Sequence, residues 1–561
     1  MMIEDSVKNA WMISRSRKFL LLLFCFAGGT LYSAALPPLN FSLLIFVSLL
    51  PLLYCATAAS WKFSLLCGWV WGLGWSLFSY QFLREIEWFI PFLISPVLAV
   101  WPALWAAFIP MVYKVTLFPP ESVLWKNNEK QNYLKKEISP WRILFFAVSA
   151  AVWFTIVEWS RSRLFVWNDL SVTQWRNSLL IQISALTGSY GIGFLIVLIN
   201  VTVFSVLIFR RRAAAAISLT VLLLSAALIY GSCRIGKFEK LPPAEKSLKA
   251  ALIQPDLSQR RHSTVKEAVE AVDVCVELSE KVCASEAEVI IWPESAVPIP
   301  LRSSGEIGAY FRNRFINLLN NGKKPVLAGM LDFKKISGNS SYAVTNSALM
   351  FDSKGKNSFR YDKIHRVPFG EYVPFRKYIP QFITRAIDMG RDLHPGNNYE
   401  PAEVKPGIRA ATAICYEGVF GYLMRKLARK ADLFIVISND AWYPESSEPE
   451  QHLANAVIRC TENGMFMIRC GNNGGSGVVT PIGKFTQYIG SRAPRPELLR
   501  ERAYGMVEVP VYGKELTETF FLKYGEIFIM ILALYMFALI FHITVFYFKQ
   551  NDIGNILTKE K

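Results

Sequence analysis

The 561-residue sequence has no Cys-x-x-Cys pair and no cysteine–histidine spacing of the kind that holds zinc; its nine cysteines are scattered. That excludes a disulfide-built scaffold and a small zinc module. Charge is scarce for a soluble chain, at 19% of residues, against 52% hydrophobic and 14% aromatic, with a mean hydropathy of +0.27. It is still too plentiful for a chain wholly inside a bilayer, so a membrane part and a water-exposed part are expected. Acidic residues are the scarcer sign, 44 against 61 Lys and Arg, for a net charge of +17. No stretch has the form of a nucleic-acid-binding module. The basic excess therefore points to cytoplasmic loops beside anionic headgroups, and no nucleic-acid partner is expected.

A spanning helix needs about 20 predominantly apolar residues. Such segments fall near 19–37, 40–60, 63–83, 89–113, 143–160, 191–209, 214–233 and, after a long polar interval, 524–547. The first follows Lys8, Arg15, Arg17 and Lys18 but has no small-x-small cleavage site before a soluble chain, so it reads as an uncleaved span. Eight spans put both termini on one side and the interval 234–523 on the other. One set of connections holds the N-terminal basic residues, Lys62, the basic run from Lys114 to Arg142, Arg210 to Arg212, Lys549, Lys559 and Lys561; the opposite short connections hold only Arg84, Arg161, Arg163 and Arg176. The positive-inside rule leaves the termini cytoplasmic and exports the large interval. The expected division is a cytoplasmic N-terminus (1–18), seven spans (19–233), an exported domain (234–523), an eighth span (524–547) and a cytoplasmic C-terminus (548–561). The segment 157–180, with Trp159, Trp167 and Trp175 beside Arg161, Arg163 and Arg176, is expected to lie along the outer membrane interface, as an anchor or as a holder of lipid headgroups.

From about Leu248 the periodicity changes. Strands are predicted at 250–254, 288–292, 325–329, 345–351, 408–414, 432–438, 465–470 and 476–480, and helices at 264–284, 305–320, 418–430 and 450–463. Alternating strands and helices indicate an α/β domain, long enough to bury its own core.

Three short stretches carry chemistry-bearing residues. In IIWPESAVP, Glu294 follows a buried strand across a Trp-Pro break. In YDKIHRVPFGEYVPF, residues 361–375, Asp362, Lys363, His365, Arg366 and Glu371 sit among aromatics and prolines, a pattern suited to lining a site. In AICYEGVF, Cys415 stands between a strand and a helix. A cysteine at a strand end is more often packing than nucleophile, and a loop glutamate is more often solvated than catalytic. Together, the three residues make chemical sense. Glu294 can take the thiol proton if burial raises its pKa. Lys363, protonated beside carboxylates, can hold a developing oxyanion. The helix N-terminus after Cys415 adds a field favouring thiolate. No metal or cofactor is required.

In order and context, Glu294 in WPES, Lys363 in YDKIHRVPFGEYVP and Cys415 in ICYEGVF resemble the Glu-Lys-Cys triad of the nitrilase, or carbon–nitrogen hydrolase, superfamily. With eight spans and this domain inserted before the last, the chain is similar to the apolipoprotein N-acyltransferases, over nearly its whole length and including SNDAWYPESSEPEQHL (438–453). That resemblance implies a nitrilase-like αββα sandwich beside a helical membrane domain, in the bacterial inner membrane with the catalytic domain periplasmic. It implies a two-step reaction: Cys415 takes an acyl chain from a phospholipid as a thioester, and the α-amino group of a diacylglyceryl-modified apolipoprotein cysteine accepts it. It assigns Glu371 as a further essential carboxylate, places Tyr416 and Glu417 beside the nucleophile, and places Asn439 and Trp442 at the pocket mouth. No partner subunit is implied, and the chain is read as a monomer.

Two departures bear on lipid or acceptor preference. The Lys-Trp pair expected after the first strand of the domain is missing from QPDLSQRRHST, around Arg260 to Ser263, and Val166-Trp167-Asn168 stands where Phe-Pro-Trp is expected. A membrane-anchored amidase or nitrilase, with water as acceptor, uses the same triad; a hydrolase needs only one anchor, however. A transporter would carry intramembrane charges, which are nearly absent. Cys275, Cys283, Cys460 and Cys470 read as structural, with a disulfide among them admissible in an oxidising compartment.

Overall fold

The computed structural model describes residues 15–125, 127–258, 264–300, 303, 305–335, 342–378, 392–443, 445–490 and 500–559. The residues around Arg260 to Ser263, where the Lys-Trp pair was expected, lie outside these, as do residues 1–14 of the N-terminus. The chain divides into two compact units, one of Met1–Arg234 with Tyr524–Lys561 and one of Ile235–Lys523.

Five stretches among the described residues are long and apolar enough to cross a membrane: Arg15–Ala35, Ile90–Leu117, Pro140–Ser162, Tyr190–Glu239 and Ile527–Ile553. The stretch Tyr190–Glu239 contains two of the predicted spans, separated by a tight turn at Arg210–Ala213 where Arg210 has φ +51°. The predicted span at 40–60 is not one helix. A tight turn, Ser42–Phe46, is followed by a nine-residue helix, Leu50–Ala58. Nine residues rise about 14 Å, short of a hydrocarbon core of about 30 Å. Pro51 starts the new helix where a missing N–H costs nothing. Asn200 satisfies the broken backbone, accepting from Leu49 N–H at 3.1 Å and donating to the Ile45 carbonyl at 2.9 Å.

Within the segment 157–180, Trp159 and Arg163 are half-buried and Arg176 is exposed, whereas other side chains of the expected interfacial set pack inward. Arg161 is buried and donates to the carbonyls of Phe165, Trp167 and Asn168, while buried Glu158 accepts from Leu170 N–H at 2.8 Å. Trp167 and Trp175 are buried too. Side chains that could have faced headgroups instead tie down an irregular loop whose carbonyls need donors.

The second unit is built on two six-stranded sheets. The first contains β1 (Lys246–Gln254), β2 (Val289–Ile291), β3 (Val326–Lys335), β4 (Tyr342–Phe351), β5 (Asn357–Asp362) and β12 (Ala503–Val511), in the order β12-β1-β2-β3-β4-β5. The second contains β6 (Ala402–Lys405), β7 (Ile408–Ile414), β8 (Leu433–Ser438), β9 (Met467–Gly471), β10 (Gly477–Val479) and β11 (Phe485–Thr486), in the order β11-β10-β9-β8-β7-β6. Each sheet has a parallel centre (β1-β2-β3; β7-β8-β9) and antiparallel edges. Helices α1 (Val265–Val282) and α2 (Glu306–Gly322) pack on the first sheet, and α3 (Gly421–Ala428) and α4 (Glu448–Asn463) on the second. The sheets face each other: Cys470 Sγ on β9 lies 3.4 Å from the Ile253 carbonyl and 3.3 Å from that of Ile291. This is an αββα sandwich. Sequence periodicity missed β5, β6, β11 and β12. β12 is nonetheless the full-length partner of β1, paired from Lys246↔Val511 to Gln254↔Ala503 across the intervening domain.

Helix α1 begins with a reciprocal capping box between Thr264 and Glu267, and its Val/Leu face enters a core with Trp292, Phe311 and Phe315. All nine cysteines carry free thiols, so no pair among Cys275, Cys283, Cys460 and Cys470 is bridged.

Candidate active site

Parallel strands expose chemistry at their carboxyl ends, where the chain turns back over the sheet. Glu294 follows β2, Cys415 follows β7, and Asn439 and Asp440 follow β8; Lys363 is the first residue beyond β5. Gly329 on β3 makes room for the first of these. A Cβ there would stand 2.3 Å from the Pro293 carbonyl oxygen and 2.6 Å from Glu294 Cα, so only glycine lets β3 run beneath the glutamate.

Buried Glu294 and Lys363 and half-buried Glu371 form one cluster. Lys363 Nζ lies 3.1 Å from Glu294 Oε1 and 3.0 Å from Glu371 Oε1. Burial alone would strip the ammonium of its proton, but the two carboxylates outweigh it and hold the Lys363 pKa well above the ordinary lysine range. Asn346, on β4, completes the cluster by donating to Glu294 Oε1 at 2.7 Å and Glu371 Oε1 at 2.9 Å. Sequence reasoning missed Asn346. The signal was the run Thr345-Asn346-Ser347 in the middle of a strand, three consecutive polar residues that are all buried. Glu371 is anchored on its other oxygen by Val367 N–H at 2.8 Å.

Cys415 has φ +51°, the left-handed region that a side chain other than glycine enters under strain. Its thiol is half-buried. Burial and the nearby Glu294 carboxylate push its pKa well above the usual thiol value, against the pull of Lys363. The resting sulfur is therefore protonated and needs a base during reaction. The α-helix expected to aim its N-terminus at this thiol starts only at Gly421. Cys415–Val419 is a tight 3-10 turn, and Phe420, with ψ +102°, breaks the path into α3.

Glu417 ties the pieces together. Its Oε1 accepts from Ile364 N–H at 2.7 Å and His365 N–H at 3.0 Å; its Oε2 accepts from Ile414 N–H and the Tyr361 hydroxyl, each at 2.9 Å. One side chain thus fastens the backbone after Lys363 to the backbone before Cys415. Burial pushes its carboxyl up to about 7, opposed by these backbone donors and by Lys363. Tyr416 sits edge-on to Phe420, ring centres 4.9 Å apart. Asn439 is buried, accepting from Asn472 at 2.9 Å, and Trp442 is half-buried in the turn Asp440–Trp442. His365 stacks on Phe420 and meets the Tyr422 hydroxyl at 2.6 Å, and Arg366 donates to the Leu393 carbonyl at 2.7 Å; both hold the loop.

A half-buried thiol, a paired lysine and two carboxylates at the strand ends of an αββα sandwich define an enzyme of the carbon–nitrogen hydrolase class. The family model for carbon–nitrogen hydrolases matches residues 249–490, and that for the apolipoprotein N-acyltransferase N-terminal domain matches 28–202. An apolipoprotein N-acyltransferase from Geobacter metallireducens is 32% identical over 66% of this chain and 69% of its own. One from Rickettsia prowazekii is 27% identical over 71% of this chain and 76% of its own. Among solved structures, an amidase from Nesterenkonia sp. aligns over 48% of this chain and 92% of its own at 16% identity, with a TM-score of 0.31. The chain belongs to the apolipoprotein N-acyltransferase family. It is a membrane enzyme of the acyltransferase kind.

Proposed function

We propose that the chain moves a fatty acyl group from a membrane phospholipid to the terminal amine of a diacylglyceryl-modified apolipoprotein cysteine, through a thioester on Cys415. Glu294 takes the thiol proton as sulfur attacks the ester carbonyl. Lys363, which keeps its proton, stabilises the tetrahedral oxyanion. Collapse expels the lysophospholipid alkoxide, which takes the proton back from Glu294. The acceptor amine then attacks the thioester, gives a proton to Glu294, and the amide leaves as Cys415 recovers its thiol. Glu371 and Asn346 keep Glu294 and Lys363 aligned through both halves.

The observation that carries this reading is the Lys363 ammonium held between two carboxylates, which supplies a base and a permanent cation in one buried cluster. Phe369, Phe375 and Tyr378, exposed on the loop around Glu371, suit contact with acyl chains. In this reading the second unit is periplasmic, both termini are cytoplasmic, the membrane is the bacterial inner membrane, and one chain suffices. The spans lie within 19–233 and 524–547.

Intact mass spectrometry after incubation with phospholipid tests the reading. Wild type should gain one acyl mass, released by hydroxylamine and absent from Cys415→Ala, and should pass it to a diacylglyceryl peptide. Release to water alone would make the enzyme an anchored hydrolase. No adduct from any phospholipid would remove the membrane lipid as donor.

A further inference from the structure

A second buried network lies on the other side of Cys415, and the acyl-transfer steps above do not use it. His452, on α4, places Nε2 3.1 Å from the Cys415 carbonyl oxygen and Nδ1 3.0 Å from Asp440 Oδ1. Asp440 Oδ2 is ion-paired to Arg469 Nη2 on β9, and the same Nη2 lies 3.2 Å from His452 Nδ1. Glu448 Oε1 stands 3.7 Å from that ring nitrogen. His452, Asp440, Arg469 and Glu448 are each 4% exposed or less. The Cys415 sulfur, an Asp440 oxygen and a His452 nitrogen lie within 4.8 Å of one another.

Such a triple could suggest a metal site, but both ring nitrogens are engaged. A carbonyl only accepts, so Nε2 must carry the proton. Nδ1 faces an acceptor, Asp440, and a donor, Arg469, so it finds a partner whether protonated or not. No imidazole lone pair is left for an ion. What the arrangement does is fix the ring from behind and direct one N–H at the nucleophile's own backbone, at the residue with φ +51°.

We propose that His452 is a positioning residue for the nucleophile: held by Asp440 and Arg469, its Nε2–H pins the Cys415 carbonyl and so maintains the left-handed backbone that presents the thiol. This rests on the reading of Cys415 as the nucleophile. The strained backbone needs such a restraint, because relaxing φ would swing Sγ away from Glu294 and Lys363, and a displacement of about 1 Å costs on the order of a hundredfold in rate.

The test compares His452→Leu, which fills the space without a donor, with His452→Gln, whose amide can donate to the same carbonyl. Both are made in the full chain. Three quantities are read: the single-turnover rate of acyl-enzyme formation, the rate of iodoacetamide alkylation at Cys415 resolved by peptide mass, and Tm. The Leu variant should acylate roughly thirtyfold slower at an unchanged half-saturating lipid concentration, with altered Cys415 alkylation, and Gln should recover most of the rate. A Leu variant as fast as wild type, or a Gln variant as slow as Leu, overturns the proposal. So does a loss accounted for by the folded fraction alone. If the Leu variant does not fold, Asp440→Asn serves: it frees the ring without emptying the space and should slow acylation severalfold, and a wild-type rate there overturns the proposal. Failure of wild type itself to form an acyl-enzyme sinks the phospholipid reading instead, while alkylation of Cys415 still reports whether His452 positions it.

Discussion

Glu294, Lys363, Glu371 and Asn346 come from the first sheet and its loops, whereas Cys415, Asp440 and Arg469 come from the second, with His452 from the helix packed on it. Both halves bury several charges, but they arrange them differently. On the first sheet a lone ammonium serves two carboxylates, an excess of negative charge. On the second, Arg469 neutralises Asp440 directly and holds its carboxyl below the usual range even though burial works to raise it. In the proposed mechanism the first half exchanges a proton, while the second holds still. Glu417 joins them, bonded to Ile364 and His365 beyond one strand and to Ile414 at the end of the other.

The sharpest way to break this division is Glu294→Gln. Acyl-enzyme formation should fall by about 10²–10⁴, the usual worth of a general base, while Cys415 keeps its place and is alkylated as in wild type. A parallel loss of alkylation would mean that the first half also positions the thiol. Gly329→Ala should follow, because its Cβ would meet the Pro293 carbonyl at 2.3 Å. Displacing Glu294 in this way should lower the acylation rate by about a hundredfold. Asn346→Ala should come next: it leaves two buried carboxylate oxygens short of a donor, and stability measured by denaturant should drop by about 1–3 kcal/mol.

The smallest effect is a pH slope from the bridging residue. The Glu417 pKa rises on folding, from 4.5 to about 7. A raised carboxyl contributes stability that is fully present below the unfolded value and is lost as pH rises through the folded one. The stability of wild type relative to Glu417→Gln should therefore decline between pH 4.5 and 7 and level off above. A difference in Tm that stays constant over that range would show that the four donors keep Glu417 ionised throughout.

Glu294, Lys363 and Cys415 were legible as candidates because each sits in a short stretch whose own pattern is odd: a glutamate after Trp-Pro, charges among rings, a cysteine ending an apolar strand. Asn346 was marked only by the polar run Thr345-Asn346-Ser347 within its strand, and the His452–Asp440–Arg469 network was not legible, since the partners lie 12 to 52 positions away. β5 escaped notice because Asn357-Ser-Phe-Arg-Tyr-Asp362 alternates weakly, and pairing with β4 supplies what propensity does not.

The sequence by itself determined the apolar segments of the membrane unit, the alternation of strands and helices, and the residue types at the strand ends. These follow from local sums of hydrophobicity and from periods of 2 and 3.6 residues. Only the tertiary structure decided that the second apolar segment breaks around Asn200, that Arg161 turns inward to hold carbonyls, and that Cys415 is strained and gripped from behind. Each of those outcomes depends on a buried polar group finding a partner far along the chain, and only three-dimensional proximity selects that partner.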